Sequence, residues 1–173
     1  MRNSVYGMVV GATLTAALPG CATLGLALNR ALPDERRACP GPLVPTEEMP
    51  GDFLLRQDVR VEGEGLDWAL TLVSQKRGPV LVLVGLDPFG AKLFTLTQRG
   101  VEVTVERPRG RLPLPPVNLL RDLHRARFGR PGTPPEPDVT IAADDAGTVR
   151  IHHAVCRYDT TLVLVIEKAL SAP

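Results

Sequence analysis

The chain has 173 residues, and its 20 Lys and Arg nearly balance its 19 Asp and Glu, which gives a formal net charge of +1. Because phosphate binding needs a strongly basic face, this near-neutral balance argues against nucleic acid as the main partner. The length suits one domain with a single core, and an aromatic content of only 4% predicts an aliphatic interior.

The first 20 residues have the layout of a secretory signal peptide. Arg2 supplies a positive start, an apolar run extends from Val5 to Leu18, and the small Gly20 stands before Cys21. A membrane-spanning helix needs roughly 20 apolar residues, so this run is too short to cross a bilayer comfortably. We predict a signal peptide over residues 1–20; the alternatives are an ordinary secreted protein or an uncleaved anchor.

The segment Leu18-Pro19-Gly20-Cys21 resembles the lipobox of bacterial lipoproteins. The resemblance implies cleavage before Cys21, a diacylglyceryl thioether on its sulfur and acylation of the new amine. Ala22, rather than Asp, follows the cysteine, as is usual in lipoproteins that reach the outer membrane. The expected address is therefore the Gram-negative outer membrane, with the protein facing the periplasm on a lipid anchor.

Residues 21–50 are predicted to be a tether between that anchor and a domain over residues 51–173. The tether has few large apolar groups and five prolines, namely Pro33, Pro40, Pro42, Pro45 and Pro50. If Cys21 is acylated, Cys39 and Cys156 remain as an even pair in an oxidising compartment. They could form one disulfide; the alternative is two unpaired thiols, with Cys156 buried in a strand.

Alternating or continuous apolar patterns predict mostly strands after residue 50. In chain order, the first five candidates are residues 53–61, 68–73, 80–86, 92–97 and 101–106. The third is almost wholly apolar, so both of its faces should be covered. The connections are too short for parallel crossovers, which predicts an antiparallel meander.

One helix is predicted, over residues 117–128 after a proline-rich break. Pro116 suits its first turn, Gly129 ends it, and Leu119, Leu120 and Leu123 form a narrow apolar stripe. Strands are predicted again at residues 139–142, 149–157 and 162–166. The predicted class is α+β, a strongly curved antiparallel half-barrel with the helix covering its concave side.

Three stretches resemble a family of uncharacterised bacterial outer-membrane lipoproteins: Leu81-Val82-Leu83-Val84-Gly85-Leu86, Gly90-Ala91-Lys92-Leu93-Phe94-Thr95-Leu96, and an Asn-Leu-Leu-Arg-Asp-Leu helix. Members of that family are thought to share the fold of the lipoprotein-localisation proteins LolA and LolB. The resemblance implies a curved sheet closed by helices over an apolar cavity. Aliphatic side chains suit an acyl chain, and the best candidates for a cavity lining are Leu70, Leu72, Leu81, Leu83, Leu93, Phe94, Leu96, Leu119, Leu120 and Leu123.

Residues with catalytic chemistry do not form a recognisable constellation in the sequence. His152 and His153 are neighbours on a predicted strand and should point to opposite faces, which suits a shared metal poorly. His124 lies among arginines on the helix, either as part of a solvated face or as a contact to a lipid phosphate. Asp144 and Asp145 precede Ala-Gly and indicate a turn. We therefore predict no catalytic residue, no metal and no cofactor.

Two functions are compatible with these features. The first is a non-enzymatic lipoprotein that binds or transfers a lipid or lipidated cargo in an apolar cavity. The second is an envelope scaffold or assembly lipoprotein that holds a partner protein, itself unknown, through a sheet edge or through Arg121 and Arg125 of the basic helix.

Overall fold

The computed structural model describes residues 39–106, 112–129 and 136–170. The predicted signal peptide, Cys21 and the first part of the predicted tether lie outside these residues. The described elements are a short 3₁₀ helix (Thr46–Glu48), β1 (Phe53–Gly63), β2 (Leu66–Arg77), β3 (Val80–Leu86), β4 (Lys92–Arg99), β5 (Glu102–Glu106), α1 (Pro116–Phe128), β6 (Val139–Ala143), β7 (Thr148–His153) and β8 (Tyr158–Ala169). No described helix has both the length and the apolar character that a membrane span requires.

The eight strands form one antiparallel sheet in the order β5-β4-β3-β2-β1-β8-β7-β6. The first five strands run outward as a meander from β1. The last three form a second meander, and β8 returns to pair with the free side of β1. Strands β5 and β6 are the two edges and do not pair with each other, so the sheet is open.

The predicted α+β half-barrel with a helix covering its concave side is wrong. The described chain is mostly β-sheet, and its one α-helix has only 13 residues. Such a helix is about 20 Å long, whereas eight strands at their usual spacing span roughly 34 Å. Residues 139–169, after the helix, form three further strands that extend the sheet and supply no second helix.

Alternation along the strands divides the sheet into a buried face and a more exposed one. The buried face and the leucines of α1 form one hydrophobic core. In β3, the side chains of Leu81 and Leu83 are fully buried on this face. Val82 and Val84 on the opposite face are only half-buried, so the expectation that both faces of β3 are covered holds for one of them.

The predicted strand over residues 149–157 is wrong beyond His153. The chain turns there, and the Arg157 N–H donates to the His153 carbonyl at 2.9 Å. Arg157 has a φ of 56°, a left-handed conformation that sequence patterns do not predict for arginine. Strand β8 consequently begins at Tyr158, four residues before the predicted start.

Gly85 provides a test of core packing. It pairs across the sheet with Phe94, and a methyl group on Gly85 would overlap the Phe94 ring. We expect Gly85→Ala to lower the free energy of unfolding by about 1–3 kcal/mol, as overpacking does, despite the small entropic benefit of replacing glycine. Urea unfolding would measure this value. Because Phe94→Leu makes room, the double variant should lose less stability than the two single losses added together. A neutral or stabilising Gly85→Ala would contradict this account.

Candidate functional site

Residues 39–49, here called the strap, pack against the folded domain instead of extending the tether. Cys39, Thr46 and Met49 are buried. Thr46 joins two turns of the sheet, because its hydroxyl donates to the Pro79 carbonyl and accepts from the Gly100 N–H at 2.9 and 2.8 Å. Residues 39–49 of the predicted tether over 21–50 are thus packed against the domain.

The beginning of the strap is bound by side chains from the first turns of α1. The side-chain amide oxygen of Asn118 (Oδ1) accepts the Cys39 N–H at 3.1 Å. Arg121 donates to the carbonyl oxygens of Cys39 and Gly41. Burial is the main cause that lowers the pKa of Arg121 from its ordinary value. The strap is not part of the sheet, so these bonds satisfy backbone groups that have no partner on a neighbouring strand.

The next turn of the helix continues the same contact. Arg125 donates to the Pro40 carbonyl at 3.0 Å, and His124 Nδ1 accepts the Val44 N–H at 3.0 Å. His124 is only 2% exposed, so the predicted solvated face is wrong for this side chain. Burial, helped by the charge of Arg125, lowers the pKa of His124 to about 4.

The strap is also covalently attached. Cys39 and Cys156, for which the sequence leaves a disulfide and two free thiols open, are bonded with an S–S distance of 2.03 Å and a separation of 117 residues. In the chain-entropy model, a loop of about 100 residues corresponds to about 4.7 kcal/mol of stabilisation. The bond connects the strap to the turn between β7 and β8.

A buried carboxylate lies behind this attachment. Asp122 is fully buried on α1, and each oxygen has a partner. One oxygen accepts from Arg125 at 3.0 Å and lies 2.9 Å from His153 Nε2, while the other accepts from the Thr160 hydroxyl at 2.8 Å. A buried charge is strongly destabilising unless it is paired and hydrogen-bonded in this way. Asp122 thereby ties the helix to β7 and β8.

Arg125 extends the network to Glu136, just before β6. Its guanidinium donates two hydrogen bonds to the Glu136 carboxylate, at 2.9 and 2.7 Å. These bonds hold the pKa of Glu136 below its ordinary value. Both carboxylates that flank Arg125 are thus within ion-pair distance of one largely buried cation.

The network joins α1 to β7, to β8 and to the residue that precedes β6. The Thr160 hydroxyl donates its proton to the Asp122 carboxylate. Tyr158 stacks on His153 with ring centroids 4.4 Å apart, and burial raises the pKa of its phenol. Within the described residues, no group of three or more His, Cys, Asp or Glu could hold a metal ion.

The other residues chosen from the sequence lie apart from this network, except His153. As predicted for neighbours on a strand, His152 and His153 point to opposite faces, and the exposed His152 lies 2.6 Å from Asp159. Asp144 forms a turn, since one of its oxygens accepts the N–H groups of Ala146 and Thr148 at 3.0 and 2.9 Å.

The predicted cavity-lining residues come together as packed core. Nine of the ten are buried, seven of them with 0% exposure, and Leu93 is partly buried at the margin of the same cluster. A side chain with no exposed surface has no water-sized space beside it. In the described structure these residues therefore pack against one another, as protein interiors normally do.

Strand β6 is an open edge of the sheet, paired only with β7 among the described strands. The Asp144 N–H donates to the Thr148 carbonyl, and the Ala154 N–H donates to the Asp138 carbonyl. The backbone groups at even-numbered positions of this segment therefore face β7. Because antiparallel pairs alternate, the backbone groups of Ile141 and Ala143 face away from β7. None of the five residues of β6 is charged, and Ile141 is 48% exposed.

A small pocket lies beside the first residue of β6. Its volume is about 260 Å³, and its lining includes the disulfide, Val139, His153 and Val155. Ligand cavities for organic molecules usually measure about 300–1,000 Å³. The pocket is therefore slightly smaller than that range.

The buried cation gives the next testable expectation. Arg125→Met should lower the free energy of unfolding by about 3–5 kcal/mol, because it leaves Asp122 and Glu136 without their shared cation. Arg127→Met on the same helix is the matched control. Its exposed pair with Glu167 should contribute at most about 1 kcal/mol. Denaturant unfolding of the two variants measures both values, and equal losses would contradict the assignment.

His124 gives an expected pH dependence. Its pKa is about 4 in the folded protein against 6.5 for the free side chain, so the unfolded chain binds more protons between these values. Stability contributed by neutral His124 is complete above pH 6.5 and is lost as the pH falls toward 4, by at most about 3 kcal/mol. In His124→Asn, which keeps an acceptor for the strap, unfolding measured from pH 7 to 4 should lack this part of the decline. Identical pH profiles would contradict the assignment.

The comparisons with known proteins give one family. No curated protein matches the chain. The family model described as "Protein of unknown function (DUF3261)" matches residues 54–164. This match extends from β1 to β8 and includes α1 and the Asp122 network. The chain belongs to the DUF3261 family.

Proposed function

We propose that this protein is a lipid-anchored, non-enzymatic lipoprotein of the Gram-negative outer membrane that holds a partner protein by strand addition at β6. The anchor is Cys21, and the protein faces the periplasm. The arrangement of residues 1–21 supports the address. Between Cys21 and Cys39 the chain can reach at most about 60 Å from the membrane, which is enough to meet a partner in the periplasm.

The observation that carries the proposal is the contrast between the two sheet edges. Proteins usually protect edge strands with charges, and β5 has Glu102 and Glu106 at its ends. Strand β6 has no charged residue, and its outward backbone groups at Ile141 and Ala143 have no partner among the described residues. An incoming strand would satisfy those groups, with main-chain bonds for affinity and side-chain pockets for specificity.

The contacts of α1 favour the edge over the basic helix as the partner surface. Arg121 and Arg125 bind the strap, Asp122 and Glu136, so these cations are already used within the molecule. Reversing their charge would disrupt the strap before it revealed anything about a partner.

A lipid carrier has less support. Nine of its ten expected lining residues are buried in the packed core, so they do not border an open cavity in the described structure. The protein-partner proposal therefore takes precedence over the lipid-cargo proposal.

A photo-crosslinking residue in place of Thr140 tests the edge in cells of the native host. We expect one discrete adduct, identified by mass spectrometry, that is lost when Ile141→Lys places a charge on the edge. Val105→Lys on β5 is the matched control, since Val105 is 36% exposed on the opposite edge strand, and it should leave the adduct intact. An adduct that survives Ile141→Lys, or the lack of any adduct, would overturn the proposal.

A further inference from the structure

The charges at the two ends of β6 define the partner more closely, and this step rests on the proposed function. Asp138 precedes the strand, and Asp144 and Asp145 follow it. All three are exposed, and none forms an ion pair with another described residue. The edge is therefore an uncharged stretch of five residues between two negative ends.

The positions of these carboxylates on the strand are fixed by its pairing. Asp138 and Asp144 are separated by an even number of residues from Thr140 and Ala142, whose backbone groups face β7. All four positions are therefore equivalent in the alternation along the strand. By alternation the two positions belong to the same face of the sheet, six residues apart, and one oxygen of Asp144 is engaged by the turn between β6 and β7. The N–H groups bonded to Asp144 lower the pKa of its carboxyl, with a further contribution from Arg150 on β7, and the group stays ionised.

A second copy of the chain fits this edge poorly. Antiparallel pairing of two β6 strands about Ile141 would place Asp138 of each copy directly opposite Asp144 of the other. Like charges directly opposite each other on neighbouring strands are destabilising. The uncharged centre permits self-pairing, but both ends oppose it.

A strand with cations at the same spacing fits well. Residues opposite Asp138 and Asp144 lie six apart in the partner, whichever direction it runs. Lysine or arginine at those two positions would form cross-strand pairs of opposite charge on one face. Between them, the partner residue opposite Val139 would lie on the buried face, next to the pocket lined by Val139 and Val155.

We propose that β6 binds an extended protein segment with two basic residues six positions apart that flank five uncharged residues. Aliphatic side chains at the first, third and fifth of those five lie beside Val139, Ile141 and Ala143. The ligand is thus a basic-flanked β-strand, recognised by backbone pairing at its centre and by charge at its ends.

Two capped, fluorescently labelled peptides test this directly against the full chain in a non-ionic detergent. The first is Lys-Val-Thr-Val-Thr-Val-Lys, and the second has Glu in place of both Lys. At low ionic strength we expect the Lys peptide to bind about tenfold more tightly by fluorescence polarisation. The difference should shrink in about 1 M salt, where charges are screened beyond about 3 Å.

Variants identify the groups responsible. Asp138→Asn should reduce the preference for the Lys peptide severalfold, while Asp67→Asn, a matched change on β2, should leave it unchanged. Ile141→Lys should weaken both peptides, and Val105→Lys neither.

The outcomes separate this inference from the proposed function. Equal binding of the two peptides, or a preference for Glu, would overturn the basic-flanked ligand and leave strand addition standing. Binding of neither peptide at about 1 mM would overturn both. Concentration-dependent self-association that is abolished by Ile141→Lys would show that a second copy occupies the edge, and would overturn the inference.

Discussion

A carboxylate that is fully buried has to be compensated, and the compensation of Asp122 determines how the parts of this domain meet. His153 and Thr160 bring β7 and β8 to it, and Arg125 brings the strap and Glu136. The disulfide closes the same junction covalently. The short helix is therefore held by polar groups as well as by its buried leucines, and the polar groups are specific in direction but costly when one of them is removed.

This arrangement changes what the surface offers to other molecules. The basic residues of α1 look like a docking surface in the sequence, yet Arg121, His124 and Arg125 face the strap. The aliphatic residues look like a cavity lining, yet they fill the core. Both sets of residues are thus used within the fold. The described molecule still has an open sheet whose two edges differ in charge, and we propose those edges as the place to look for a partner.

Alternation was enough to predict most strands, because burial of one face leaves a period of two in the sequence. It could not predict the last hairpin, where the turn uses a left-handed Arg157 in place of glycine. The strap could not be predicted either, since its side chains are not periodic and its backbone is bound by polar groups about 80 residues away. The narrow leucine stripe of α1 was the one local pattern that could have indicated the burial of Asp122, because Asp122 lies beside that stripe.

An exposed edge without charge is an aggregation hazard unless something opposes pairing with identical chains. Here the opposition lies outside the strand, in Asp138 and Asp144, so the centre of β6 stays free to pair. The same carboxylates would repel a second copy and attract a strand with cations at its ends. One set of charges would therefore discriminate between these two partners. Five residues of edge give a small, weak interface. Because differences in affinity lie mostly in the rate of dissociation, a partner strand held by so short an edge would leave readily.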